Sequence, residues 1–196
     1  MQPYVLVLYY SQNGATKALA DVIASGVKGV GIDVKIRTVP KVYNQLESPR
    51  SHDTDTPFVT KEELLHCAGL ILGSPARFGN MAAPLKYFID STMDIWLSGG
   101  LINKPAGVFT SSSSMHGGQE TTLMSMILPL VHHGAYIVGV PYSEVALNET
   151  QSGGTPYGPT HVAGIHGQNP VTEDEARMAL CLGERIGRLA KVVAGS

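Results

Sequence analysis

Three segments rich in small residues and hydrogen-bond donors each follow a predicted strand, and they hold the residues best suited to chemistry. They span residues 11–16 (SQNGAT), 73–81 (GSPARFGNM) and 110–118 (TSSSSMHGG). The first opens a predicted helix, and the hydroxyls of Ser11 and Thr16 beside converging backbone N–H groups are typical of a phosphate site. An ordinary strand-to-helix turn with Ser11 as the helix cap explains the same residues equally well.

The second segment has the residue types that hold a planar heterocycle. Pro75 and Gly79 shape a turn whose backbone reaches a ring edge, while Phe78 offers a stacking face and Arg77 a positive charge. The alternative interpretation buries Phe78 in the core and leaves Arg77 in solvent. The segment by itself favours that alternative.

The third segment, residues 110–118, contains four serines and two glycines, which indicates either a flexible loop or a wall of hydrogen-bond donors. Its position favours the wall. Because parallel strands end at one edge of a sheet, the three segments converge on a single crevice. The sequence therefore predicts a binding site there.

Common nucleotide and metal motifs are missing from the sequence. The first segment has neither the Gly-Lys-Ser/Thr of nucleotide hydrolases nor the GxGxxG of dinucleotide folds, which weakens both of those assignments. The seven histidines do not fall into zinc-type spacing with cysteine or acidic partners. We therefore predict no metal site.

The elements that position these segments alternate between strand and helix. Residues 4–10 (YVLVLYY) form an unbroken apolar run, typical of a strand covered on both faces, whereas residues 32–39 alternate and indicate an edge strand. Further strands are predicted at residues 68–73, 106–110 and 135–140. Helices are predicted at residues 15–28, from a capping box at 60–63, at 83–95, at 121–133, and from a second capping box at 172–175.

Five strands alternating with helices predict an α/β fold, a doubly wound five-stranded parallel sheet with helices on both faces. We expect a single domain over residues 1–196. Loop insertions are predicted near residues 40–59 and 141–168, and the second is too long for an ordinary connection.

The net charge and the hydropathy of the chain limit the kinds of partner that it is expected to bind. The chain has 196 residues and a formal net charge of −2 without a run of Lys or Arg, so we expect neither nucleic acid nor membrane as partner. Its apolar stretches fall well short of the roughly 20 residues that span a bilayer. No basic region precedes the first apolar run, so we expect a cytoplasmic protein.

The motifs together resemble those of the WrbA family of NAD(P)H:quinone oxidoreductases, also called the tryptophan-repressor-binding protein family. The resemblance covers residues 4 to about 189 and rests on YYSQNGAT, GSPARFGNM and FTSSSSMHGGQETT, followed by HHG and GGTPYG. It implies a flavodoxin-like sheet of strand order 2-1-3-4-5 and FMN as the cofactor. It further implies NADH or NADPH as donor, two-electron hydride transfer to the flavin and then to a quinone, and a homotetramer.

The resemblance also implies roles for individual residues. The FMN phosphate would be held by Ser11, Gln12, Asn13, Gly14, Ala15 and Thr16. The ribityl and isoalloxazine parts would lie against Pro75, Ala76, Arg77 and Phe78 on one edge and Ser112, Ser113, Ser114, Met115, His116, Gly117 and Gly118 on the other.

Three residues carry substrate or catalytic roles under this resemblance. His133 would face the flavin pocket and donate a proton or hydrogen bond to the acceptor, and Trp96 would line the acceptor site. Asn13 would face the nicotinamide, where family members carry an aromatic residue, so this wall of the site differs here. Without the resemblance, a histidine pair at a helix end is more often a C-terminal cap, and a lone tryptophan is usually packing.

Two other functions fit parts of the pattern. A flavodoxin-type FMN electron carrier would share the fold, but such carriers present an acidic docking face and this chain is near neutral. A non-catalytic regulatory or scaffolding protein is the other alternative, and no basic patch supports a DNA-linked role. Measurements of FMN binding and of NAD(P)H turnover distinguish the oxidoreductase, the electron carrier and the non-catalytic protein.

Overall fold

A computed structural model describes residues 2–42 and 55–195. The insertion predicted near residues 40–59 lies largely outside them, since residues 43–54 are not among the described residues.

The described residues form six strands and seven helices. The strands are β1 (Tyr4–Tyr9), β2 (Asp33–Thr38), β3 (Gly69–Pro75), β4 (Pro105–Ser112), β5 (Tyr136–Ile137) and β6 (Thr160–Val162). The helices are α1 (Ala15–Gly29), α2 (Lys61–His66), α3 (Ala83–Asp90), α4 (Met93–Leu97), α5 (Gln119–His132), α6 (Ala146–Glu149) and α7 (Glu173–Ala194). None of these helices is both long and apolar enough to cross a bilayer.

All strand pairs are parallel, and the sheet order β2-β1-β3-β4-β5 confirms the predicted order. The buried runs β1, β3 and β4 form its centre, and the alternating strand β2 lies at its edge with most residues partly exposed. The unbroken apolar runs are central because helices cover both of their faces.

The strand next to β4 in the sheet is shorter than predicted, and a second strand shares its place. The strand expected at residues 135–140 pairs with β4 only at Tyr136–Ile137, next to the beginning of β4. The insertion expected to be irregular supplies α6 and a sixth strand, β6, which pairs with the end of β4 from Thr160 to Val162. A three-residue strand between proline and glycine is too short to give a periodic signal.

The helix expected at residues 83–95 is divided into α3 and α4. At the break, the Ser91 hydroxyl donates to the Phe88 carbonyl at 2.7 Å, and the Thr92 hydroxyl donates to the Ile89 carbonyl at 2.7 Å. These side chains take carbonyls that a continuous helix would use for its backbone, which explains why the helix ends there.

Two apolar layers flank the sheet. One lies under α1 and α7 and includes Val5, Val7, Leu19, Ile23, Ile71, Phe109, Leu182 and Ile186. The other lies under α2, α3, α4 and α5 and includes Leu6, Leu8, Leu64, Leu70, Leu72, Leu85, Ile95 and Leu123. Alternate residues of β1 enter opposite layers, so the sheet is doubly wound as predicted.

Helices α1 and α7 pack at very short range through two glycines. A Cβ on Gly183 would overlap the carbonyl oxygen of Ile23, and a Cβ on Gly26 would overlap the carbonyl oxygen of Leu180. Because backbone atoms cannot move aside as a flexible side chain does, only glycine fits these contacts.

We predict that Gly183→Ala lowers the free energy of unfolding by about 1–3 kcal/mol, since the added methyl must push the two helices apart. Urea unfolding followed by circular dichroism measures the change. Gly29→Ala in α1 is the matched control, because a Cβ there meets no atom within 4 Å. The control should be neutral or stabilise by up to about 1 kcal/mol. Equal stability of the two variants would contradict the close contact.

Candidate functional site

An open cleft lies at the carboxyl ends of β1, β3, β4 and β6. It contains about 660 Å³ of atom-free space that continues into solvent. The lining residues are Ser11, Gln12, Asn13, Ala15, Thr16, Pro75, Ala76, Arg77, Ser111, Ser112, Ser113, Gly117, Ala163, Gly164, Ile165 and Gly167. No carboxylate is among these residues, so the lining does not repel an anion.

One end of the cleft is the N-terminus of α1. Its N-cap residue, Gly14, has a left-handed backbone with φ of 90°, and no side chain caps the helix. The first turn also lacks acidic residues. By contrast, α2 and α7 both begin with complete capping boxes, at Thr60 and Thr172. The free N–H groups and the partial positive charge of α1 are therefore available to an anion.

Hydroxyl groups surround this helix end. The side chains of Thr16 and Ser111 share a buried hydrogen bond of 2.8 Å between their Oγ atoms, which joins the first segment to the end of β4. The Ser11 hydroxyl accepts a hydrogen bond from the Gly14 N–H at 3.1 Å. Ser111 was not among the predicted site residues, which began at Ser112 in this segment. The contact of Ser111 with Thr16 joins residues distant in the chain, so no local pattern in the sequence singled out Ser111.

The second segment forms a tight turn at the rim of the cleft. The backbone groups of Arg77 and Asn80 bond each other at 2.8 and 3.0 Å, and Phe78 and Gly79 between them have φ of 53° and 73°. Phe78 is fully exposed, so the interpretation that buried it in the core is wrong. A non-glycine residue with positive φ is strained, and such strain is found preferentially at functional sites.

Glycine is required where the second and third segments meet. A Cβ on Gly118 would lie 2.8 Å from the Gly79 Cα, and a Cβ on Gly79 would lie 2.8 Å from the Thr121 Oγ1. Both glycines also have positive φ. Their backbones therefore touch directly, which fixes the spacing between the two walls.

Arg77 is the one charged side chain that lines the described cleft. Its Nη2 donates to the Gln12 Oε1 at 2.7 Å, and its Nη1 donates to the Ala76 carbonyl at 2.9 Å. The contact with Gln12 bridges the first and second segments. The guanidinium is thus held at the cleft while remaining exposed.

The third segment is ordered by a buried chain of hydrogen bonds. The Thr160 hydroxyl donates to the Gln119 Oε1 at 2.6 Å, and the Gln119 Nε2 donates to the Ser112 Oγ at 2.8 Å. The Ser112 hydroxyl donates to the Ser114 carbonyl at 2.7 Å. These hydrogen bonds restrain the third segment and link it to α5 and β6.

A fourth wall comes from the second insertion and was missed by sequence reasoning. Ala163, Gly164, Ile165 and Gly167 line the cleft directly after β6. The Gly167 N–H donates to the Gly164 carbonyl at 3.0 Å, which closes a turn. The glycines at both ends of this turn were the available signal, but nothing in the sequence connects them with the other three segments.

Glu175 and His161 form a buried pair behind this fourth wall. The His161 Nδ1 lies 2.8 Å from the Glu175 Oε2, and both side chains are essentially inaccessible to solvent. Burial alone disfavours the carboxylate, but hydrogen bonds from His161, Thr172, Val162 and Ser152 outweigh it and lower the pKa of Glu175 to about 2. The carboxylate is therefore ionised at neutral pH.

Some predicted residues flank the cleft without lining it. Gly14, Phe78, Ser114, Met115, His116 and Gly118 belong to the three segments but are not among the residues that line it. The described residues contain no group of three or more His, Cys, Asp or Glu placed to hold a metal ion.

His133 and Trp96 are not brought to the cleft of their own chain. Helix α5 begins beside the cleft and runs back along the sheet, so its C-terminal end lies near the amino ends of the strands. There the Asn103 N–H donates to the Gly134 carbonyl just before β4 begins. Trp96 lies there too, since its Nε1 donates to the His132 carbonyl at 2.9 Å. This opposite placement follows from the antiparallel return of a helix in an α/β unit.

The His133 ring is held in an apolar pocket. Its Nε2 lies 3.1 Å from the Thr92 Oγ1, and the Thr92 proton already goes to Ile89, so Nε2 is the donor. The buried Nδ1 has no partner among the described residues. Burial, and secondarily the neighbouring His132, lower the pKa of His133 and keep the ring neutral.

The chain is similar in sequence to a known protein family and to named relatives. Residues 3–149 match the model of a family described as NADPH-dependent FMN reductase. An NAD(P)H dehydrogenase (quinone) from Chromohalobacter salexigens is 42% identical, covering 97% of this chain and 98% of that protein. A protein of the same name from Solidesulfovibrio magneticus is 40% identical, covering 95% and 97%.

Solved structures share the fold at low identity. The flavodoxin, WrbA-like protein from Agrobacterium tumefaciens superposes with a TM-score of 0.68 at 20% identity, covering 97% of this chain and 98% of that one. Oxidised Flavodoxin 2 from Bacillus cereus has a TM-score of 0.60 at 18% identity, covering 96% and 98%. The flavodoxin-like fold is thereby established.

The low pKa of Glu175 predicts a pH-dependent contribution to stability. A carboxyl whose pKa falls from 4.5 in the unfolded chain to about 2 in the folded chain stabilises the fold above pH 4.5. This contribution, on the order of 3 kcal/mol, is lost as pH falls toward 2.

Urea unfolding of the native protein and Glu175→Gln at pH 7, 5, 4 and 3 tests this contribution. The difference in free energy of unfolding should be largest at pH 7 and shrink below pH 4.5, because the Glu175 carboxyl of the unfolded chain then binds a proton while that of the folded chain stays ionised. A constant difference across this range would contradict the lowered pKa.

Proposed function

The chain belongs to the NADPH-dependent FMN reductase family, and from that membership we propose that it is an NAD(P)H:quinone oxidoreductase with FMN in the cleft. Relatives that match nearly its whole length carry the name NAD(P)H dehydrogenase (quinone). Within the family, the motifs at residues 9–16, 73–81 and 153–158 favour the WrbA group. We further propose one domain over residues 1–196 and a cytoplasmic location, where nicotinamide nucleotides are available.

The observation that carries this proposal is the uncapped N-terminus of α1 beside the Thr16–Ser111 hydroxyl pair. Together they offer backbone and side-chain donors to a phosphate, with no carboxylate in the lining to oppose it. The same open cleft is lined by Arg77 and by Ser112 and Ser113 of the third segment, which would lie along a ribityl chain and a flat ring. These features fit a mononucleotide.

The chain's own residues would bind and orient the cofactor. Residues 11–16 with Ser111 would hold the phosphate, and residues 75–78 and 112–118 would hold the ribityl and ring portions. FMN, when bound, supplies the two-electron transfer between the nicotinamide and the quinone. No side-chain nucleophile is required for such a reaction.

Arg77 and the backbone donors would stabilise negative charge that develops on the bound ring. The guanidinium is held at the cleft by its hydrogen bond to Gln12 and carries a positive charge. Phe78 extends from the rim with its face free and would offer apolar surface to a planar substrate. Asn13 lines the same cleft and would face the nicotinamide.

We also propose that the protein assembles as a homotetramer. Large apolar side chains are exposed on α3, α4, α5 and β5, namely Tyr87, Met93, Trp96, Leu97, Leu128, Val131 and Tyr136. Exposed apolar surface of this extent is typical of an interface. His133 and Trp96 lie at the end of the sheet opposite the cleft of their own chain. The roles implied for them therefore require a second copy of the chain, whose His133 and Trp96 would lie at this cleft.

The activity is tested by FMN titration and by steady-state oxidation of NADH and NADPH with benzoquinone. We expect one FMN per chain and rapid quinone-dependent turnover. FMN binding without turnover would indicate a flavodoxin-type carrier, and a colourless protein that binds no FMN would indicate a non-catalytic role. His133→Ala with unchanged quinone turnover would remove His133 from the mechanism.

We predict that Thr16→Val weakens FMN binding about tenfold or more, because a hydrogen bond to a charged group contributes roughly 1.5–3 kcal/mol. Riboflavin lacks the phosphate, so its affinity should change less than about threefold, given the small net worth of a neutral hydrogen bond. Flavin fluorescence quenching measures both affinities. Ser25→Ala on the exposed face of α1 is the control. Equal losses for FMN and riboflavin would show that Thr16 does not contact the phosphate.

We predict that Leu128→Glu lowers the oligomeric state, since it buries charge in the proposed interface at a cost of several kcal/mol. Sedimentation velocity should give a mass of four chains for the native protein and a smaller mass for the variant. Val192→Glu, at an apolar position on α7 that is also exposed, should leave the mass unchanged. A native protein that sediments as a monomer would refute the tetramer.

A further inference from the structure

The fourth wall of the cleft depends on a short strand with one neighbour. Among the described residues β6 pairs only with β4, over the three residues Thr160–Val162. The Ala163 N–H donates to the Ser112 carbonyl at 2.8 Å, which is the last contact with β4 before the wall begins. So short a ladder by itself gives little stability to the turn that follows it.

Glu175 occupies the side of β6 where a further strand would lie. Alternate N–H groups of a strand point to opposite sides, so the Val162 N–H points away from β4. The Glu175 Oε1 accepts that N–H at 2.9 Å and the Gly153 N–H at 2.9 Å. One carboxylate oxygen thus binds two backbone segments of the second insertion.

The remaining contacts of Glu175 tie this strand to α7. Its Oε1 also accepts the Ser152 hydroxyl at 2.7 Å, while Oε2 accepts the Thr172 N–H at 2.9 Å and the His161 Nδ1 at 2.8 Å. Five donors surround a fully buried carboxylate. Such a group is stable only with its partners in place, so the insertion and the helix are fixed together.

The other capping box shows that these contacts exceed what a helix cap needs. Glu63 caps α2 in the same way, but its carboxylate then pairs with the Arg37 and Lys35 side chains on a partly exposed surface. Glu175 instead bonds the backbone of the cleft-bearing insertion. The two capping boxes are alike in sequence, but Glu63 pairs with basic side chains whereas Glu175 accepts hydrogen bonds from backbone N–H groups of the insertion.

His161 extends the same network toward the phosphate end of the cleft. It lies in register with Ser111 on the neighbouring strand, and in-register residues of parallel strands project from the same face. On that face Ser111 bonds Thr16 of α1, and His161 bonds Glu175 of α7. The buried pair therefore lies behind both the fourth wall and the hydroxyl pair.

We propose that Glu175 and His161 are positioning residues that hold the wall at residues 163–167 and the Ser111 hydroxyl in place for the cofactor. Neither side chain reaches the cleft lining, so they act through the backbone they fix. This inference rests on the proposed function only in taking FMN as the ligand. The ordering of the wall itself does not depend on any ligand.

Hydrogen–deuterium exchange of the FMN-free protein and FMN titration test the proposal together. Glu175→Gln places an amide N–H among five donors, and His161→Ala removes one donor. We expect exchange over residues 160–167 to rise about tenfold or more in Glu175→Gln, with a similar loss of FMN affinity. His161→Ala should show smaller changes in the same direction. His161→Asn, whose amide N–H can replace the Nδ1 donor, should restore most of the loss.

Two controls separate positioning from general stability. Glu63→Gln removes the matching box in α2, and Thr172→Ala weakens the α7 cap without removing a donor to the wall. Both should lower stability yet leave exchange at residues 160–167 and FMN affinity near native values.

The proposal is overturned if His161→Ala and Glu175→Gln leave both readouts unchanged, or if His161→Asn restores nothing. Should Glu175→Gln not fold, the two His161 variants decide alone. If the native protein binds no FMN, the proposed function fails, while the exchange measurement still tests the wall.

Discussion

The free N–H groups at the start of α1 are the constraint around which the cleft is built. Two of the described helices, α2 and α7, are capped by side chains through the boxes at Thr60 and Thr172. At Gly14 no side chain does so, and the unsatisfied donors face a space ringed by hydroxyls. A capping carboxylate would fill that space and repel a phosphate. The lack of a side-chain cap costs α1 local stability, typically about 1 kcal/mol, and leaves its N–H groups open to the phosphate proposed for the cleft.

The other walls are arranged around this end by contacts that leave little freedom. The second and third segments touch backbone to backbone at Gly79 and Gly118, and the serine wall is tied to β6 through Gln119. Most of the lining residues are small, and Arg77 is the one charged residue among them. Such a site suits a cofactor that carries its own reactivity and needs from the protein binding, orientation and charge.

Much of this could be predicted from the sequence. The unbroken run at residues 4–10, the alternating run at 32–39 and both capping boxes gave correct elements, because each rests on local periodicity or local hydrogen bonding. Three segments that converge at strand ends were recognised because parallel strands must end together. Eleven of the sixteen lining residues were predicted as site residues, and the other five are Ser111, Ala163, Gly164, Ile165 and Gly167.

The sequence by itself determined the order of the first five strands, the start of α1 and the three donor-rich segments, since these depend on residues close together in the chain. Only the tertiary structure decided that β6 completes the sheet, that Glu175 serves the cleft as well as its own helix, and that His133 lies at the end of the sheet opposite the cleft. These outcomes depend on contacts between residues distant in sequence, such as Val162 with Glu175 and Thr16 with Ser111. No local pattern encodes such pairings, because they arise when separate elements pack on a common sheet.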